Sequence, residues 1–299
     1  MPSFLEGLLF TKKVYTVFCL LFVILVLIYL ILKYLVNTQP KYVKEGMEQP
    51  FQEINPNPRA ELLDVEESEL IPKIIIQTWK NRNIPYKYQP LQSGLIHKNL
   101  EYKYLFFTDE DINMFLKKEY PDYYITFQKL PILIQKIDFF RYIAIYHYGG
   151  FYFDLDMECM EPLDDELLKH NTIIPIDDKF SQSKKDLNRQ WMNYRGENVI
   201  LGQYAFGAVK HSAFMKFLAD NIHHNIDLIL KDYDTKVKNN ISNFEYFVYS
   251  TTGPDYVTYM YKNFYQKWEV FILDYSIRQH FGKYARHRYF GTWKNNTNN

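Results

Sequence analysis

The chain of 299 residues has almost no cysteine: Cys19 and Cys159 are its only two. A disulfide framework or a Cys-rich zinc site is therefore excluded as an organising principle. It also has no excess of charge of either sign, with 35 Lys and Arg against 35 Asp and Glu. A protein that neutralises nucleic-acid phosphates usually carries a basic surplus, so no nucleic-acid partner is expected. Internal repeats and low-complexity tracts are missing as well. Apolar residues make up 47% and charged residues 23%, which excludes a wholly disordered or collagen-like chain.

What is present divides into pieces. A short tail covers residues 1–13. The run VYTVFCLLFVILVLIYLIL, residues 14–32, contains no charged side chain. As a helix it rises about 28 Å, close to the roughly 30 Å of a bilayer's hydrocarbon core. A cleaved signal peptide has a shorter apolar region that ends at small residues, whereas Lys33-Tyr34-Leu35-Val36 follows here. Residues 14–36 are expected to be a membrane-spanning signal anchor. Lysines flank it on both sides, so charge alone does not orient it. Residues 37–70 hold three basic and eight acidic residues together with NPNPR, the composition of a solvated stem. From residue 71 to 299 the texture is globular, opening with PKIIIQTW.

The spacing predicts a helix over Asp109–Lys118, capped by Thr108 or Asp109, and another over Leu133–Tyr148. FYF at 151–153 and residues 173–176 read as strands. Strands alternating with helices argue for an α/β domain with a mixed sheet.

The richest segment is IDFFRYIAIYHYGGFYFDLDMECMEPLDD, residues 137–165. A helix stops at Gly149-Gly150, an apolar strand follows, and Asp154 and Asp156 emerge at its end. Alternate residues of a strand share a face, so both carboxylates can meet one cation. Ligands of open α/β sheets bind at such strand mouths. A hard divalent ion held by carboxylates and phosphate oxygens suits cleavage of a nucleotide diphosphate ester. Bare D-x-D is weak evidence, because Asp109-Glu110-Asp111 and Asp232-Tyr233-Asp234 match it too. Those two read as helix ends. Context separates 154–156 from them: the Gly-Gly turn, and Asp138 with Arg141 one helical turn apart on a common face.

These residues resemble glycosyltransferase family 32, the enzymes with a DXD sugar-binding region that include Golgi α-1,6-mannosyltransferases and inositolphosphoceramide mannosyltransferases. The family's pattern is met by Asp138, Arg141, Tyr142, Gly149, Gly150, Tyr152, Asp154 and Asp156. IPKIIIQTWK at 71–80 resembles its opening strand, with Ile76 where a His often stands. TDEDI at 108–112 with Tyr120-Pro121, TTGP at 251–254 and HRYFGTW at 287–293 resemble further blocks in the expected order.

The resemblance implies a GT-A type nucleotide-sugar-binding domain, a nucleotide diphosphate sugar as donor, Mn²⁺ or Mg²⁺ as cofactor, and retention of anomeric configuration. Asp156 and Asp154 would hold the metal, with Asp154 also near the donor's ribose or sugar. Asp138 and Arg141 would hold sugar hydroxyls and diphosphate. Gln77, Trp79 and Tyr142 would belong to the donor site, His287 and Trp293 would close over the diphosphate, and Asn198 is a candidate in 196–214. His223-His224 lacks metal spacing and reads as structural or exposed. The expected activity is transfer of a hexose, mannose from GDP-mannose first, to a glycan or glycolipid hydroxyl. A type II topology in a Golgi or ER membrane follows if the chain is made in a eukaryotic cell. Sequons at Asn240 and Asn295 are compatible with that. Two alternatives stand beside this one: an aspartyl phosphatase using D-x-D, with Asp177-Asp178 as a later acidic pair, and an inactive tethered glycan-binding protein.

Overall fold

The computed structural model describes residues 70–180, 189–240, 244–274, 280–291 and 293. The expected anchor, most of the stem and the Asn295 sequon lie outside them. Among the described residues no helix is long and apolar enough to cross a membrane.

Apolar side chains alternate along each central strand, so each strand contributes to two cores. β1 (Ile74–Thr78) turns Ile75 to one side and Ile76 to the other. β3 (Gly150–Phe153) sends Phe151 and Phe153 one way and Tyr152 the other. With β2 (Lys103–Phe107), β5 (Thr172–Phe180), β6 (Met192–Tyr194), β7 (Glu197–Leu201) and β8 (Ala205–Ala208) they form a mixed sheet ordered β2-β1-β3-β8-β5-β7-β6. β9 (Val270–Leu273) pairs in parallel with β5. β1 runs parallel to β2 and β3, whereas β8 is antiparallel to both β3 and β5. The mixed α/β sheet expected from the sequence is the one found.

The Ile76 side is covered by helices. α2 (Asp109–Glu119), α3 (Pro121–Lys129), α4 (Leu133–Tyr148), α6 (Ala213–His224), α7 (Ile226–Asp232), α8 (Phe244–Thr251) and α9 (Pro254–Asn263) supply Leu116, Phe127, Phe140, Phe214, Ile229, Phe247 and Val257 to this core. The opposite side is covered by α1 (Gln89–Lys98), α5 (Asp165–Leu168) and a small antiparallel sheet of β4 (Met157–Cys159) with β10 (Ala285–His287).

Local chemistry explains the boundaries. Thr108 caps α2 in a reciprocal capping box with Asp111, which gives the first decoy D-x-D a structural role. The second decoy ends α7, where Asp232 pairs with Lys236 at 2.9 Å. Asn225 interrupts the amphipathic run of 221–231, leaving two helices instead of one. His223 hydrogen-bonds Thr126 at 2.6 Å, and exposed His224 bonds the Asp220 carbonyl at 2.7 Å, so that pair is structural. Gly149 ends α4 at φ +66°, and Gly150, at φ +90°, passes so near β1 that a Cβ would lie 2.4 Å from the Ile74 carbonyl.

Candidate active site

α4 buries a charged pair beneath the sheet. Asp138 is 0% and Arg141 2% exposed, so this is no surface salt bridge. Arg141 Nη2 lies 3.1 Å from Asp138 Oδ1 and 3.4 Å from Asp154 Oδ1. Arg141 Nη1 donates to the Gln203 carbonyl at 3.0 Å, and its guanidinium lies 4.6 Å over the Tyr152 ring. Thr252 Oγ1 donates a hydrogen bond to the other carboxylate oxygen, Asp138 Oδ2, at 2.8 Å.

β3 ends by releasing the two carboxylates into different surroundings. Tyr152 OH donates to Asp154 Oδ1 at 2.9 Å and lies 3.1 Å from Thr78 Oγ1. The Asp154 N–H donates to the Tyr204 carbonyl at 2.7 Å. Asp156 Oδ1 lies 3.3 Å from His287 Nε2, and Asp156 Oδ2 accepts the Phe290 N–H at 2.9 Å. Antiparallel pairing sets His287 opposite Met157, which carries its ring to Asp156. One ligand atom each from Asp154, Asp156 and His287 then fall within 4.8 Å of one another.

Electrostatics separate the carboxylates. Burial pushes Asp138 up to about 6 against the opposing pull of Arg141 and Thr252. Burial also raises Asp154, again opposed by Arg141. For Asp156 burial is outweighed by His287 and the Phe290 N–H, leaving it below the usual carboxylate range and ionised at neutral pH. Two carboxylate oxygens and one imidazole nitrogen could hold a divalent transition-metal ion such as Mn²⁺, with Asp156 already anionic. His287 Nδ1 is buried without a hydrogen-bond partner among the described residues, so the ring's orientation rests on packing against Tyr204, 4.5 Å away, and on Nε2.

The remaining expected residues fall in several places. Gln77 is fully buried. Its amide donates to the Asp154 carbonyl at 3.2 Å and its oxygen accepts from Tyr104 at 2.9 Å, so it holds the D-x-D backbone in place. Tyr142 is buried behind the site, its hydroxyl 2.6 Å from both the Thr252 carbonyl and Gln203 Oε1. Trp79, at the end of β1, meets Tyr88 at 4.9 Å, and Tyr88 meets Phe290 at 5.3 Å. Trp79 Nε1 has no hydrogen-bond partner among the described residues. Trp293 packs on Phe244 and Tyr249, and Asn198 lies in the β6–β7 hairpin opposite Asn193. Ile76, expected at a pocket wall, is fully buried in the helix-side core.

Sequence reasoning missed Tyr88, Gln203, Tyr204 and Phe290. Phe290 stands inside the HRYFGTW block, yet its contribution is a backbone N–H, which no residue type signals.

Residues 75–174 match the family described as glycosyltransferase sugar-binding region containing DXD motif. Inositol phosphoceramide mannosyltransferase 2 of Schizosaccharomyces pombe is 30% identical over 164 residues, 55% of this chain and 42% of that one. Inositol phosphoceramide mannosyltransferase 3 of the same yeast is 40% identical over 98 residues, 33% and 28% of the two chains. A mannosyl phosphorylinositol ceramide synthase of Saccharomyces cerevisiae is 41% identical over 96 residues, 32% of this chain and 25% of that one. The chain thus spans less than half the length of these relatives. A solved structure named PaToxG glycosyltransferase superposes over 65% of this chain and 70% of its own at 16% identity and a TM-score of 0.43, too slight a likeness to argue from. Over residues 75–174 the chain is similar to the glycosyltransferases that carry the DXD motif.

Proposed function

We propose that this protein is a membrane-anchored, metal-dependent, retaining glycosyltransferase with a GT-A type domain. It moves a hexose, in our reading mannose from GDP-mannose, onto a hydroxyl of a glycan or glycolipid. The observation that carries this is the convergence of Asp154, Asp156 and His287 beside the buried Arg141–Asp138 pair at the mouth of β3. The names of the relatives support mannose and a phosphoinositol lipid acceptor. Anchoring through residues 14–36, type II topology and a Golgi or ER membrane belong to the same proposal.

Each group has a role within it. The Trp79–Tyr88–Phe290 ring cluster takes the nucleobase against its face, its unpartnered indole N–H offering a donor. Asp154, Asp156 and His287 would hold a divalent ion, and such an ion would neutralise charge on the leaving diphosphate. Arg141, fixed by Asp138, Asp154 and Gln203, is preorganised before the donor arrives, so little reorganisation opposes its action on developing charge. The rival phosphatase reading is not favoured, since the matching family is one of glycosyltransferases.

The test is nucleotide release by the full chain in detergent across GDP- and UDP-sugars, with and without Mn²⁺, beside Asp156→Ala. Metal-dependent release from one donor, lost in the variant, is expected. Absence of both donor binding and release by folded wild type would overturn the proposal.

A further inference from the structure

Further along the sheet from the Trp79–Tyr88–Phe290 ring cluster, beyond the Asp154–Asp156–His287 group, lies a second polar site. Its first element is Asp177. Pairing of β5 with β7 slips between Ile176 and Asp178, leaving Asp177 as the extra residue of a bulge. Bulges re-aim a side chain and are frequent beside active sites. Here Ile176 stays in the core and Asp178 is exposed, while Asp177 sits half-buried between them. Its carboxylate makes no hydrogen bond among the described residues. Its charged neighbours are His287 and Arg189, which attract it, and Asp178 and Asp255, which repel it. A separate contact fixes its position against the metal group: the Tyr204 hydroxyl lies 3.2 Å from the Ile176 carbonyl, and the Tyr204 ring packs on His287.

The second element is Arg189. Its Nε donates to both oxygens of Asp255, at 2.7 and 3.0 Å, and Asp255 is 0% exposed. The guanidinium lies 4.9 Å over the Tyr249 ring. Both Nη nitrogens are without hydrogen-bond partners among the described residues, and the side chain is 28% exposed. A guanidinium locked along one edge and open along the other is a rigid fork, and holding it costs little entropy on binding.

We propose that Asp177 and Arg189 form the acceptor site, gripping adjacent hydroxyls of a polyol ring, with Asp177 accepting from them, Arg189 donating to them, and Tyr249 beside the ring. The sheet order supports the division of labour. β1, which ends at the aromatic cluster, and β5, which carries Asp177, are separated by β3 and β8, about 14 Å at the usual strand spacing. The D-x-D leaves the strand between them. A donor reaching from the β1 side to the metal group therefore meets, on its far side, a carboxylate and an open guanidinium fork. A hydroxyl is the partner matched to both, since it donates to the first and accepts from the second.

This inference rests on the transferase reading, and one assay separates the two. The full chain in detergent, with Mn²⁺ and GDP-mannose, is given myo-inositol or methyl α-mannoside, and release of GDP and formation of mannosylated product are followed separately. Wild type is expected to mannosylate at least one ring. Asp177→Asn, an isosteric change, is expected to raise the KM for that ring at least tenfold while the KM for GDP-mannose moves less than threefold. Arg189→Lys, which keeps the charge and removes the fork, should do the same. Equal changes in both KM values, or none in either, would overturn the acceptor assignment, as would GDP release by wild type with neither ring mannosylated. Failure of wild type to cleave GDP-mannose or any other nucleotide sugar would instead overturn the proposed function.

Discussion

Thr252 donates its hydroxyl to Asp138 at 2.8 Å across 114 residues, and this contact latches the charged helix to the turn between α8 and α9. Thr251 accepts from Gln135 at 2.7 Å, and the Tyr142 hydroxyl reaches the Thr252 carbonyl, so one helix is held at three points. Thr252→Val removes a donor from a buried carboxylate. The expected cost is about 1–3 kcal/mol of stability, read from a denaturant midpoint. An unchanged midpoint would show that Asp138 does not depend on the latch.

Asp156→Ala removes the ionised carboxylate of the metal group along with its bonds to His287 and Phe290. Turnover should fall at least about a hundredfold, the scale on which even outer-shell changes act at metal sites. The fold should survive, because the large sheet and its cores do not rest on this side chain. Circular dichroism beside Mn²⁺-dependent turnover checks both halves, and near-wild-type turnover would sink the metal assignment.

Two glycines should respond in opposite directions to alanine. At Gly150 a methyl would press on the Ile74 carbonyl at 2.4 Å with φ at +90°, so several kcal/mol of destabilisation is expected. Gly94, inside α1, has nothing within 4 Å of its would-be Cβ, so alanine there should stabilise by up to about 1 kcal/mol. Thermal melts of the two variants measure the contrast.

Burial pushes Asp177 up to about 6 against the pull of His287 and Arg189. The unfolded chain gives up this proton near pH 4, so between about pH 4 and 6 the folded state binds more protons. Stability therefore falls as pH rises through that window. Asp177→Asn removes this contribution and should flatten the decline, measured by denaturant midpoints with a chelator present. A slope identical to wild type would show that Asp177 titrates normally.

The sequence was most informative where chemistry is local. Thr108 or Asp109 announced a capped helix, which runs Asp109–Glu119 with Thr108 as its cap, and Gly149 marked the end of α4 at Tyr148. Asp154 and Asp156 stood out because a Gly-Gly turn and an apolar strand fix where a D-x-D must emerge. Asp138 and Arg141 shared a helical face in the sequence, but their burial depends on the sheet above them. His287 was found only through resemblance, and its place beside Asp156 depends on β10 pairing with β4. Phe290 and Tyr204 act through a backbone N–H and a ring packed on His287. Such roles follow from assembly and leave no mark in residue type or spacing.

The clasp of Asp156 by the Phe290 N–H spans 134 residues and sits beside the small sheet of β4 and β10. Closing so long a loop is slow compared with forming helices and hairpins. The place of His287 beside Asp156 is therefore expected to form after the local helices and hairpins, because its pairing joins residues so far apart in sequence. Hydrogen exchange at the Phe290 amide would time that step.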